Sequence, residues 1–230
     1  MVKIGNVFER NKSRLINLWL KIAYRARIKN IKKEYEEFLK KAKENNIVLC
    51  NAVQMAKLLS TRKMPRKCIA LIHDVDYDFG KNNIPKILDI ERKHNVTSTF
   101  FIRVQKYQLD SLKKLPKQWE IGLHGEFKGD NRAEKAAEQK KILEEKIERK
   151  VVGVSMHKGN WEGERTIDAA EKAGFFYIVS IVKRKGGIIT LPYSASDISP
   201  TQNLAYLNKV LGKNIPKKLV TAVNTHADYF

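Results

Sequence analysis

From residue 68 onward the chain alternates short apolar runs with longer amphipathic ones. The short runs cover 68–74, 98–102, 120–124, 151–156, 175–182, 187–192 and 219–224, each bounded by Gly, Pro or polar clusters. That is the pattern of buried β-strands. Helical periodicities lie between them. Residues 82–94 predict a helix with Pro85 in its first turn, where a missing N–H does no harm. Residues 106–115 predict a short helix before Pro116. Residues 131–149 predict a long charged helix whose inner face is Ala133, Ala136, Ala137, Ile142, Leu143 and Ile147. Two more, 163–173 and 200–211, end at Gly174 and Gly212. Upstream, residues 12–45 read as helix in two pieces, 47–50 as a short strand, and Asn51 as the cap of a helix through Leu59.

Seven strands alternating with five or six helices predict an α/β protein with a parallel sheet. An open, doubly wound sheet is one solution, but the Gly-rich fingerprint of a dinucleotide fold is absent. The strand ends favour another. Four of the five histidines, His73, His124, His157 and His226, close apolar runs, and His73 opens His-Asp-Val-Asp. Parallel strands gather functional side chains at their C-terminal ends. Groups drawn from many separate ends suit a closed or nearly closed barrel better than an open sheet.

Asp74 and Asp76 stand two apart, so strand alternation turns both to one face. Two carboxylates so close resist carrying two negative charges without a cation. A divalent metal resolves this, with one Asp as ligand and the other as base, and His124 can add a nitrogen. His94 ends a helix instead, where a cation suits the helix dipole.

Composition narrows the setting. A chain of 230 residues with 43% hydrophobic content suits one substantial core. The net charge of +20 attracts polyanions, yet it is spread along the chain as on a solvated lysine-rich surface. No helix-turn-helix, zinc-finger or RNA-binding signature accompanies it, which argues against nucleic acid as the partner. Residues 1–33 hold ten Lys/Arg and one acid, Glu9, with Leu15, Leu18, Trp19, Ile22 and Ala23 at helical spacing. Such a stripe can lie on an anionic membrane, and more often packs on its own domain. Residues 1–66 thus read as a basic helical extension and 67–230 as the α/β domain. Cys50 and Cys68 lack metal-ligand spacing and suit reduced thiols in a cytoplasmic compartment. No secretory signal is evident.

Five short motifs, in order, carry a resemblance: Ile72-His-Asp-Val-Asp76, Asp89 through Phe101, Glu120-Ile-Gly-Leu-His-Gly125, Val152-Gly-Val-Ser-Met-His157, and Thr225-His226, with Leu191-Pro-Tyr193 and Asp197 before the last. The chain resembles the polysaccharide deacetylases, the group with the NodB homology domain, in its His-Asp-Val-Asp branch. The resemblance implies a distorted (β/α)7 barrel. It implies a hydrolase that removes an N-acetyl or other acyl group from an amino sugar or glycan, using one divalent metal such as zinc. By position, Asp74 resembles the catalytic base, Asp76 and His124 metal ligands, His226 the general acid, and Asp197 the carboxylate that holds His226 in its tautomer. Trp161, Tyr193 and Lys128 are the candidate substrate contacts.

Two positions depart from the pattern. A second histidine is expected four residues after His124, where the chain has Lys128, and an arginine near position 155, where it has Ser155. A third ligand must then come from elsewhere, with His157 the first candidate and His73 or Glu126 behind it. The departures also admit a barrel that binds glycan without turning it over.

Overall fold

A computed structural model describes residues 31–76, 78–104, 109–157, 160–180, 182, 187–192, 208, 211, 217–227 and 230. A helix over 31–44, α1, leads into β1 (Val48–Cys50) and α2 (Ala52–Ser60). Then follow β2 (Lys67–Val75), α3 (Asp78–Lys93), β3 (Thr99–Ile102), a 3-10 turn (Leu109–Lys114), β4 (Glu120–Gly125), α4 (Arg132–Ile147), β5 (Gly153–Met156), α5 (Glu164–Lys172), β6 (Tyr177–Ser180), β7 (Ile189–Pro192) and β8 (Leu219–His226). All described ladders are parallel, and the sheet runs β1 through β7 in chain order, with β8 on the other edge of β2. The seven anticipated strands are β2 to β8. The eighth, β1, pairs with the N-terminal half of β2 at Cys68–Ala70, below the point where β3 begins to pair.

Strand alternation divides the sheet into two faces. On β2, Ile69, Leu71 and Val75 join one core cluster, shared with α1, α3, α4 and α5, while Cys68, Ala70 and Ile72 join a second. The second cluster is the barrel interior. It holds Phe101, Tyr177, Leu191 and Ala222 from other strands and is plugged at its lower end by Ala52, Met55 and Ala56 of α2. The plug is fixed by polar contacts: Ala52 N–H donates to Thr99 Oγ1 at 2.9 Å and Val53 N–H to Glu120 Oε2 at 2.9 Å. Asn51 caps α2 in a reciprocal pair with Gln54. Among the described residues no ladder joins β7 to β8.

Residues 31–60 share this sheet and core. Tyr35, Phe38 and Leu39 of α1 are wholly buried in the outer cluster. Helix α3 starts at Asp78, earlier than periodicity indicated, so Pro85 lies inside it and not in its first turn. On α4 the buried residues are Ala136, Gln139, Leu143 and Ile147, while Ile142 is exposed and Ala137 faces solvent. A glutamine therefore takes a core position that apolar patterning alone assigns to neighbours. Among the described residues no helix is long and apolar enough to cross a membrane. The basic segment 1–30, the helix expected over 200–211, Tyr193 and Asp197 lie outside the described residues, Asn208 and Leu211 excepted.

Candidate metal centre

Five strands that are neighbours in the sheet, β8, β2, β3, β4 and β5, each deliver a polar residue at the C-terminal end. Asp74 and Asp76 come from the end of β2, and His124 from β4. His157 is the residue after β5, held there because its N–H donates to Gly125 O at 2.9 Å. His226 ends β8 and stands opposite Asp74 in the ladder. Alternation sends all of them to the interior face. His73, one residue off, goes the other way.

Asp76 is the centre of the group. Its Oδ1 lies 3.2 Å from His124 Nε2 and 3.8 Å from His157 Nε2, and its Oδ2 lies 3.4 Å from His226 Nε2. One ligand atom from each of Asp76, His124 and His157 falls within 4.8 Å of the others, as a set around one ion requires. Asp74 is buried beside them, its Oδ1 3.6 Å from His124 Nδ1 and its Oδ2 accepting from Asn224 Nδ2. His124 thus stands between two carboxylates, with Nε2 toward the cluster.

Charges here explain the ionisation. Burial penalises the Asp76 carboxylate, but the hydrogen bond from His124 and the charges of His124, His226 and His157 outweigh it and hold the group at about 2. Burial also opposes a charge on His124, yet Asp74 and Asp76 prevail and raise its pKa. The pKa of His157 is lowered, by burial and by the neighbouring His124 and Arg103, which favours the neutral imidazole, the form that binds metal. Among the described residues the carboxylates here, Asp74, Asp76 and Glu126, outnumber the guanidinium of Arg103. The nitrogen–oxygen donor set and the surplus negative charge fit a divalent cation.

Lys128 is not part of the cluster. It lies exposed on an adjacent cleft of about 360 Å³ that Glu126, Lys135, Gln139 and Asn160 also line. Trp161 is partly buried and packs on the outer core. His73 is buried in that outer layer, bonded to Thr225 Oγ1 and to Glu91 Oε1, the latter at 2.9 Å, so it cannot reach the cluster. Two residues of the site escaped the sequence reading. Arg103, directly after β3, pairs with Glu126 and donates to the Asp76 carbonyl at 3.2 Å. Asn224, two before His226, holds Asp74. Their position at strand ends is the signal that could have found them.

Solved structures share this architecture. IcaB from Ammonifex degensii is 15% identical with a TM-score of 0.56, over 77% of this chain and 89% of that one. The Streptococcus pyogenes deacetylase PplD, solved in complex with acetate, is 12% identical with a TM-score of 0.55, over 76% of this chain and 86% of that one. The fold is that of the polysaccharide deacetylases. A mutant of BA3943, a CE4 family pseudoenzyme from Bacillus anthracis, is 19% identical with a TM-score of 0.42, and the chain spans 65% of its length. No family model matches the sequence, and no curated protein matches it. Against the deacetylase pattern, the position of the expected arginine is filled by Ser155, buried and in register with His124.

Proposed function

We propose that this protein is a metal-dependent hydrolase that removes the acyl group from an N-acylated amino sugar of a glycan. The observation that carries the reading is the cluster itself. Three donor atoms from Asp76, His124 and His157 lie within 4.8 Å of one another, with Asp74 and His226 in contact with the same groups. A divalent ion held by Asp76, His124 and His157, zinc being the natural occupant of such a set, would supply Lewis acidity and an acidified water at neutral pH.

The chain's own residues do the proton work. Asp74, oriented by Asn224, takes a proton from the attacking water. The acyl carbon–nitrogen bond breaks, the oxygen stays on the acyl group as a carboxylate, and His226 gives a proton to the departing nitrogen. By its position in the deacetylase pattern, Asp197 would hold His226 in its tautomer. The cleft beside the cluster, with Lys128 on its wall, would receive the rest of the sugar, and Trp161 and Tyr193 are the candidate ring contacts. Cys50 and Cys68, both free, suit a reducing cytoplasm, and the basic segment 1–33 could meet an anionic membrane surface.

The test is metal content and acetate release. The chelator-stripped protein should bind zinc, Asp76→Ala and His124→Ala should not, and the zinc form should release acetate from an N-acetylglucosamine oligomer. Unchanged zinc stoichiometry in both variants refutes the reading. Lys128 and Ser155 favour a second reading, a barrel that holds glycan without hydrolysing it. That reading expects saturable oligomer binding with no acetate released.

A further inference from the structure

We propose that Glu126 is the positioning residue that aims His157 at the metal, and that with Arg103 it makes good the histidine absent at position 128. The inference rests on Asp76, His124 and His157 being the metal-holding set. An imidazole offers a lone pair from one nitrogen only when the other carries the proton, and the partner of that other nitrogen decides which is which. His157 Nδ1 lies 3.2 Å from Glu126 Oε1, while its Nε2 faces Asp76. An ionised carboxylate only accepts. Asp76 is an acceptor too, but at 3.8 Å it lies beyond hydrogen-bond reach of Nε2, whereas Glu126 at 3.2 Å is within reach of Nδ1. The hydrogen therefore belongs on Nδ1, and the Nε2 lone pair points into the cluster.

Glu126 is itself held on several sides. The oxygen that faces His157, Oε1, also pairs with Arg103 Nη2, and Arg103 is tied through Nη1 to the Asp76 carbonyl. The Glu126 backbone is clamped by one buried amide: its N–H donates to Gln139 Oε1 at 3.0 Å and its carbonyl accepts from Gln139 Nε2 at 3.0 Å. This gives the polar core position on α4 a use. The turn after β4 closes tightly because Gly125 has no side chain: a Cβ there would meet the Phe127 ring at 2.5 Å. Phe127 folds under, and Glu126 comes back toward β5.

His157 needs such help. It is the most open of the three, with about a quarter of its side chain exposed against 3% for His124. Without a partner on Nδ1 the ring is free to turn into the cleft. Orienting carboxylates of this kind are worth roughly 10–100-fold in metal affinity.

A double-mutant cycle tests the proposal on the full chain, with zinc affinity read by calorimetry against a competing chelator. Glu126→Ala should weaken zinc by roughly 10–100-fold, and Glu126→Gln by less than about threefold, because its amide oxygen can accept from both His157 and Arg103. In a His157→Ala background, Glu126→Ala should cost nothing further. An equal further loss in that background, or a Glu126→Gln variant as weak as Glu126→Ala, overturns the proposal while zinc binding by the wild type stands. A wild type that binds no zinc overturns it together with the function proposed above. Nitrogen-15 NMR of the metal-free protein reads the tautomer directly: His157 protonated at Nδ1 supports the proposal, and protonation at Nε2 overturns it.

Discussion

Replacing Glu91 should cost the fold more than replacing any residue of the candidate metal centre. Its carboxylate is wholly buried in the outer layer and accepts from four side chains. Tyr35 donates to Oε1 at 2.7 Å and His73 Nε2 lies 2.9 Å from the same oxygen, while Ser98 donates to Oε2 at 2.9 Å and Trp119 Nε1 donates there too. These donors come from α1, β2 and the entries to β3 and β4, so one carboxylate ties four segments together. In Glu91→Ala all four face a void, at about 1–3 kcal/mol for each buried donor left unpaired. Relaxation and an entering water recover much of that. Buried pairs broken from one side lose about 3–5 kcal/mol, which is the loss expected here, against about 5–15 kcal/mol for a whole domain. Urea unfolding should show the midpoint falling by about 1–2 M with its slope unchanged. Tryptophan fluorescence and far-ultraviolet dichroism should agree on it. Glu91→Gln keeps the shape and half of the acceptors, and should fall between. A midpoint within about 0.3 M of wild type in Glu91→Ala would refute the reasoning, because it would mean the four donors find partners without the carboxylate.

Asn224→Leu removes the amide that holds Asp74 while keeping the volume. Acetate release should drop about 10–100-fold, the worth of a hydrogen bond to a charged acceptor, with zinc affinity unchanged; parallel losses in both measurements would contradict the positioning role. Acid stability should follow Asp76. Its pKa is near 2 in the folded metal-free protein against an ordinary 3.8, so its contribution is complete above about pH 4 and is lost as pH falls toward 2. Urea midpoints measured across that window should therefore decline in the wild type and decline less in Asp76→Asn.

Much of this was legible in the chain because strands write their two faces at period two. Asp74, Asp76, His124, His157 and His226 could be read as one group, since each sits at the end of an apolar run and parallel strands align those ends. The same rule, applied strictly, sends His73 outward, where it meets Glu91 and Thr225. The partner sets were not legible. Nothing local links Arg103 to Glu126, or Asn224 to Asp74, because those contacts run between strands, and register is not visible in any one run. Glu91 and Gln139 look like surface residues of charged helices, and only tertiary packing makes them a buried acceptor and a backbone clamp. The pairing of β1 with β2 is of the same kind, a short apolar run whose edge is fixed only once β3 has taken the upper half of β2.

Register also changes the meaning of the two departures from the deacetylase pattern. Read motif by motif, Lys128 is a lost imidazole and Ser155 a lost guanidinium. In the barrel, inward positions at one level are near neighbours whichever strand they come from. Ser155 pairs with His124, so His157 is the next inward position above it, one strand over from the loop that carries Lys128. An imbalance of charge is met in the same way: a guanidinium reaches the site from Arg103 on the β3 side, and the buried Asp74 carboxylate takes a neutral amide from Asn224 on β8. A small, buried serine beside His124 is then what the arrangement needs, because a long side chain at position 155 would compete with His124 and His157 for the same interior space. Ser155→Arg, which restores the expected motif, should for that reason weaken zinc binding and not improve it; tighter zinc binding in that variant would show that the displaced ligand set is not the one the barrel uses.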